Sequence, residues 1–307
     1  FMKREFGSRV IEEFLPQVDL THVLDTSGAY IPGHGTPTVI LLGRNRSPVT
    51  GTVRAVLGIR GEPSTPDDPA QGLVWRSIVD LLDQPGEQNA YVSVTDFPRE
   101  TFAKHPWSIG GGGASELKEK IEKSRSTVLG EIAESIGYTT IQGEDDVWVY
   151  SAVAARRIGV LSHTVPLVTG DIVRDWSLGP AELSIYPYGS LGGDFCNSFP
   201  AVVERYLWSY RSLLGARRIF GRTLVEAGRQ ACEHMWHDRK KLKTPLSIAF
   251  AFVATHNHFV LDRGGKVFKQ TAPIIKLPGD ATENDHFALL GLLNSSTACF
   301  YLNHWGP

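Results

Sequence analysis

Asp25, Ser27 and His34 sit inside one glycine-studded stretch, DTSGAYIPGHGTPTVILLGR over residues 25–44. These are the residue types of an orienting acid, a nucleophile and its base. A serine on a nucleophile elbow needs a glycine two positions before it, and DTSGA carries Asp25 there. DTSG also matches the aspartic-protease signature, but that chemistry needs two carboxylates sharing one proton, and the chain has no second copy. The stretch is therefore expected to present something, Tyr30 or backbone amides, with a hydrolase built on Asp25, Ser27 and His34 kept as an alternative.

Two histidine groups invite a metal reading. CEHMWH offers Cys232, His234 and His237, and THNHF offers His256 and His258, which would share one face of a strand. Neither spacing matches H-E-x-x-H or a paired zinc-finger pattern, so no metal site is expected. The HNH string also lacks the spaced ligands of the nuclease of that name. The GGGGAS run at residues 110–115 has neither a strand before it nor phosphate-loop spacing, and reads as a hinge rather than an anion cradle.

A third feature is electrostatic. Between Arg205 and Lys243 the chain carries ten basic residues: Arg205, Arg211, Arg217, Arg218, Arg222, Arg229, Arg239, Lys240, Lys241 and Lys243. Only Glu226, Glu233 and Asp238 oppose them, and Tyr206, Trp208, Tyr210, Phe220 and Trp236 are interleaved. Such a stretch can neutralise phosphates and stack on bases. It reads equally as a solvated, charged helix pair.

The elements that must position these groups follow from periodicity. Phe6, Val10, Ile11, Phe14 and Leu15 form a helical stripe that Pro16 ends. Residues 20–25 and 36–43 read as strands, the second continuous and apolar as a buried strand would be. Strands at 52–60 and in AYVSVTDF flank a helix at 73–83, and a charged helix follows the glycine run. Beyond it, VLGEIAESIGYTTIQGEDDVWVYS reads as helix, turn and strand. AELSIYPYG and PLSIAFAFVATHNHFVLD read as strands, and residues 286–302 as one closing helix.

The 307 residues, 42% hydrophobic and 21% charged, have an ordinary globular composition, and the formal net charge of -2 gives no global pull toward nucleic acid or membrane. Cys196, Cys232 and Cys299 are odd in number and far apart, which fits a reducing compartment. No apolar run reaches the roughly 20 residues of a membrane helix, so a cytoplasmic location without membrane contact is expected. The chain opens on an apparent running helix at Phe1-Met2-Lys3 and closes at YLNHWGP, so it is expected to be a piece of a longer protein.

Several long strings carry a resemblance. They include DLTHVLDTSGAYIPGHGTPTVILLGRNR, VRAVLGIRGEPSTPDDPAQGLVW, HPWSIGGGGASEL, IGYTTIQGEDDVWVY, TPLSIAFAFVATHNHFVLDRGGKVFKQTAPIIKLP and LLGLLNSSTACFYL. Over nearly its whole length the chain resembles the adenine-specific DNA methyltransferases of the phage growth limitation, or type 2 bacteriophage exclusion (BREX), system. The resemblance implies an α/β fold: the C-terminal edge of a Rossmann-like methyltransferase sheet over residues 1–109, a Gly-rich linker and helix over 110–130, and an α+β, TaqI-type target-recognition domain over 131–307.

It further implies S-adenosylmethionine as cofactor, double-stranded DNA as partner alongside other components of the defence system, and a target adenine flipped out of the stack. The family's glycine-bearing cofactor loop and N-P-P-[FY] motif have no counterpart in these residues, so the chain is expected to be inactive alone. A non-catalytic specificity module that needs a partner is the alternative.

Residue by residue, the family's aromatic before a Pro-Gly turn, which packs on the flipped base, corresponds to Tyr30. Tyr138, Thr139, Thr140 and Gln142 would read base edges in the groove. Arg211, Arg217, Arg218, Arg222, Lys240 and Lys241 would position phosphates.

Overall fold

The computed structural model describes Met2, residues 5–107 and residues 110–305. The expectation of a helix running from the first residues falls partly on Phe1, Lys3 and Arg4, which lie outside the described residues. The chain divides into two compact units, Phe1–Arg125 and Ser126–Asn303.

The first unit is built on one four-stranded sheet: β1 (Asp19–Asp25), β2 (Val39–Arg44), β3 (Thr52–Gly58) and β4 (Val92–Pro98), in the order β2-β1-β3-β4. β1 and β3 run parallel, with Val23 opposite Ala55, and the other pairs are antiparallel. Successive side chains on a strand point to opposite faces, so Val23 and Leu24, or Ala55 and Val56, feed two different cores. One joins Val23, Val53, Ala55 and Leu57 to Ile11, Leu15, Phe102 and Trp107. The other joins Leu24, Val56, Val92 and Val94 to Val74 and Ile78 of helix α1 (Leu73–Leu81).

Some elements differ in detail from their expected form. The opening stripe does bury Ile11 and Leu15, but as a run of 3-10 and π turns from Glu5 to Gln17 rather than an α-helix. β2 is the edge strand of the sheet, and its apolar residues Ile40 and Leu42 are exposed. The glycine run belongs to the first unit and is packed, because the N–H of Gly111 donates to Gly58 O at 3.0 Å. A Cβ at Gly111 would come within 2.7 Å of Ser93 Oγ and 2.8 Å of Leu57 O. Helix α2 (Ala114–Lys123) follows it.

The second unit is a set of small sheets. Its strands are β5 (Ser135–Gly137), β6 (Thr140–Ile141), β7 (Val149–Tyr150), β8 (Thr164–Val168), β9 (Val173–Arg174), β10 (Ser177–Leu178) and β11 (Glu182–Ile185). They continue with β12 (Arg218–Ile219), β13 (Arg222–Thr223), β14 (Trp236–His237), β15 (Ser247–Phe250), β16 (Phe259–Asp262), β17 (Val267–Phe268) and β18 (Ile274–Lys276). The two larger sheets have the orders β17-β8-β11-β7 and β16-β15-β18-β5, and the pairs β9-β10, β12-β13 and β14-β6 complete the set.

Helices α3 (Ala152–Arg157), α4 (Ala201–Ser209) and α5 (Arg211–Ala216) pack around Trp148, Ile185, Val203 and Leu214, and α6 (Arg239–Lys243) is a short basic helix. The expected single closing helix is two, α7 (Glu283–Leu293) and α8 (Ser296–Trp305), with Asn294 between them. Asn294 serves the sheet instead: its amide donates to Phe259 O at 2.8 Å and its Oδ1 accepts from Phe259 N at 3.1 Å. The whole is a mixed α/β protein with several sheets.

Candidate nucleic-acid interface

In the first unit the loop from β1 to β2 is organised by its own backbone. Asp25 is buried, and its two carboxylate oxygens accept from the N–H groups of Ser27 (2.9 Å) and Gly58 (3.2 Å). Both oxygens accept from main chain, and among the described residues no hydrogen bond joins the His34 ring to Asp25 or to the Ser27 hydroxyl. Gly58 must be glycine here, since a Cβ would lie 2.8 Å from Asp25 Oδ2.

Ile31 to His34 form a tight turn closed by His34 N–H to Ile31 O at 3.1 Å, with Pro32 and then Gly33 at φ 70° in its central positions. That is the type II pattern, in which proline presets the first angle and glycine takes the positive one. The turn holds Tyr30, 36% exposed, on the wall of an apolar cavity of about 400 Å³ lined also by Ile31, Pro32, Ile40, Pro69 and Trp75.

In the second unit the expected groove-reading segment lies elsewhere than expected. Thr139, Thr140 and Gln142 are completely buried. Thr139 exchanges hydrogen bonds with the backbone of Phe268, its N–H donating at 2.9 Å and its Oγ1 accepting at 2.7 Å. Thr140 Oγ1 lies 2.9 Å from His234 Nδ1, and Gln142 Nε2 donates to Ser184 Oγ at 3.2 Å. Since a carbonyl only accepts, His234 Nε2 carries the proton and donates to Ile185 O at 3.0 Å, so Nδ1 accepts from Thr140. Burial pushes His234 down to about 3 and His237, stacked on Tyr188 at 3.8 Å, down to about 4, so both rings are neutral near pH 7. Groove contact by Thr139, Thr140 and Gln142 is corrected to a role in this interior network; Tyr138 is half-buried, edge-on to Trp236 at 6.5 Å.

The basic residues separate in the same way. Arg217 is 5% exposed and donates to the carbonyls of Leu214, Gln142, Gly143, Ala231 and Glu233, so it holds the fold and is corrected as a phosphate contact. Burial of the cation pushes its pKa down to about 10. Lys241 is half-buried and pairs with Asp238, the N-cap of α6, at 2.6 Å, so its charge is neutralised locally. Arg211, Arg218, Arg222 and Lys240 are exposed.

The exposed set has an aromatic partner at each of two places. The guanidinium of Arg211 lies 4.6 Å from the centre of the Trp208 ring, itself 66% exposed, beside a cavity of about 630 Å³. Arg218 and Arg222 flank the β12–β13 turn, whose tip is Phe220, 98% exposed. Phe220 and Gly221 have φ values of 49° and 82°, as a type I′ hairpin requires, and that position ordinarily takes Asn, Asp or Gly. A phenylalanine held there in the left-handed region and fully in water is costly for folding. In the sequence Phe220 stands only among the interleaved aromatics, and the F-G pair between two arginines is the available signal.

A mixed α/β chain with a cationic, aromatic-tipped surface is the class the fold and the site define. No protein-family model matches it. Among solved structures it is similar to the type IIL restriction-modification enzyme MmeI in complex with DNA, with a TM-score of 0.48 and 8% identity over 91% of this chain and 31% of that one. It is also similar to the type IIG restriction endonuclease BpuSI, with a TM-score of 0.43 and 12% identity over 97% of this chain and 35% of that one.

In sequence, the chain is similar to the adenine-specific methyltransferase PglX of Streptomyces coelicolor (strain ATCC BAA-471 / A3(2) / M145), at 46% identity over 317 aligned residues that cover 98% of this chain. It is homologous, over almost its entire length, to part of an adenine-specific methyltransferase, and spans 25% of that relative's length.

Proposed function

We propose that this chain is the target-binding part of a site-specific N6-adenine DNA methyltransferase acting in anti-phage defence. The observation that carries the reading is the 46% identity to PglX across 98% of the chain. In this reading the first unit is the C-terminal part of the methyltransferase domain and the second is the target-recognition domain. Tyr30, at the wall of an apolar cavity, packs against the flipped adenine, which has to leave the stack before its exocyclic amine can react. Arg211, Arg218, Arg222 and Lys240 set the register on phosphates, and Phe220 is the wedge or stacking group beside them.

S-adenosylmethionine is the methyl donor of the whole protein, and this chain's described residues do not fit it. Neither a counterpart of the family's glycine-bearing cofactor loop nor an N-P-P-[FY] motif stands among these residues. The chain alone is accordingly inactive, duplex DNA is its partner together with other components of the defence system, and its place is the cytoplasm. Among the described residues no helix is long and apolar enough to cross a membrane.

The test is transfer of tritiated methyl from S-adenosylmethionine to duplex DNA, run on the isolated chain and on the longer protein that carries it. Incorporation by the longer protein alone, with DNA bound by both, supports the reading. Incorporation by the isolated chain overturns its inactivity, and absence of DNA binding by both overturns the function.

A further inference from the structure

The β15–β16 connection brings two histidines to a carboxylate from a distant hairpin. His256 and His258 lie in the loop before β16, with ring centres 4.4 Å apart, and Asp175 lies in the two-residue turn between β9 and β10. One ligand atom from each of Asp175, His256 and His258 lies within 4.8 Å of the others. We propose that these three residues form a binding site for a divalent cation of the zinc class, with an open fourth position.

Geometry carries the proposal. His258 Nδ1 is 3.4 Å from Asp175 Oδ1. Two ligands of a tetrahedral zinc ion, with bonds near 2.0–2.1 Å, are separated by about 3.4 Å. The backbone N–H of Asp175 points at the same Nδ1 from 3.3 Å, so that nitrogen carries its lone pair, and a cation would take the place of this long hydrogen bond. Two acceptors at that distance are brought together favourably by a cation between them. His256 Nδ1 lies 3.1 Å from Thr255 Oγ1, so the hydroxyl can hold that nitrogen and leave Nε2 for the metal, the arrangement of ligating imidazoles generally.

Both sides of the site are held in place. Asn257, between the histidines, donates to Leu293 O at 2.6 Å at the end of α7, and His258 O accepts from Ala251 N–H at 3.2 Å. Across from them Asp175 and Trp176 have φ of 43° and 72°. Such a turn favours asparagine and glycine, and a tryptophan there costs of order 1 kcal/mol or more. Asp175 and His256 are exposed, so an ion can enter from solvent, while His258 is 6% exposed and anchors the floor. A bound ion ties the β9–β10 hairpin to the β15–β16 loop. The proposal is independent of the DNA reading.

The experiment is calorimetric titration of zinc chloride into the full, tag-free chain after chelator treatment. Asp175→Asn and His256→Ala, both exposed and so tolerated by the fold, are titrated alongside, with His34→Ala as a distant control. The expected result is one equivalent of zinc per chain, bound about 10-fold or more weakly in each ligand variant and unchanged in His34→Ala. Cobalt should give the visible absorption of a tetrahedral complex in the wild type only, and chelator should lower the thermal midpoint of the wild type but not of His256→Ala. Absence of saturable zinc binding overturns the site, and so does wild-type affinity in Asp175→Asn and His256→Ala.

Discussion

The guanidinium of Arg217 lies 5.6 Å from the centre of the Trp148 ring, in the interior of the second unit, with five main-chain carbonyls accepting from its N–H groups. Removing one partner from such an arrangement strands the rest, and a buried acceptor left unsatisfied costs about 1–3 kcal/mol. Arg217→Ala is expected to lower the unfolding free energy by about 3–5 kcal/mol, measured by urea denaturation. Arg217→Lys should recover only part, because an ammonium has three donors where the planar fork has five. Arg218→Ala and Arg222→Ala, at the surface, should stay within about 0.5 kcal/mol of wild type.

Phe220 gives a way to separate binding from stability. Its φ of 49° suits asparagine better than phenylalanine, so Phe220→Asn should leave the thermal midpoint unchanged or raised. DNA affinity should fall by roughly 5- to 100-fold, the loss of one stacked aromatic, at an unchanged salt dependence. Wild-type affinity in Phe220→Asn would remove the tip from the interface.

His234 and His237 make the second unit acid-sensitive. Their folded-state values, about 3 and about 4, lie below the ordinary 6.5, so below that value the unfolded chain binds protons that the folded chain refuses. Stability is therefore present above about pH 6.5 and is lost as pH falls toward 4, with a slope approaching 1.4 kcal/mol per pH unit for each ring. Denaturation midpoints between pH 7 and 4 should show this fall, and His234→Asn should lessen it. A flat profile would contradict the neutral network.

Tyr30 is tested in the longer protein that carries this chain. Tyr30→Ala should lower kcat/KM for methyl transfer by roughly 10- to 100-fold and reduce the fluorescence of 2-aminopurine placed at the target position, while Tyr30→Trp retains most of both. Equal activity in Tyr30→Ala would place the flipped base elsewhere.

Much of the fold was legible because its elements have simple periods. The strand read over residues 52–60 became β3 (Thr52–Gly58), and the helix read over 73–83 became α1 (Leu73–Leu81). The apolar run over residues 36–43 became β2 (Val39–Arg44), and its place at the edge of the sheet is not something a local pattern reports.

The candidate site was legible as composition and not as geometry. Thr139, Thr140 and Gln142 look like a polar loop, and their burial depends on His234 and Ser184, which are distant in sequence. Arg217 and Arg218 are adjacent and chemically identical, but one is interior and the other exposed. His256 and His258 stand out as a pair in the sequence, but the carboxylate of Asp175 that joins them comes from another hairpin, which no local spacing reports.

The most direct measurement is filter binding of the chain to duplex DNA as a function of salt. Affinity should fall steeply, log K against log salt having a slope near -0.9 for each phosphate contacted, and Arg211→Ala, Arg218→Ala and Arg222→Ala should each reduce that slope by about 1. A chain that fails to hold duplex at low salt, or whose binding ignores both salt and these three substitutions, would contradict its role as the DNA-gripping part of a methyltransferase.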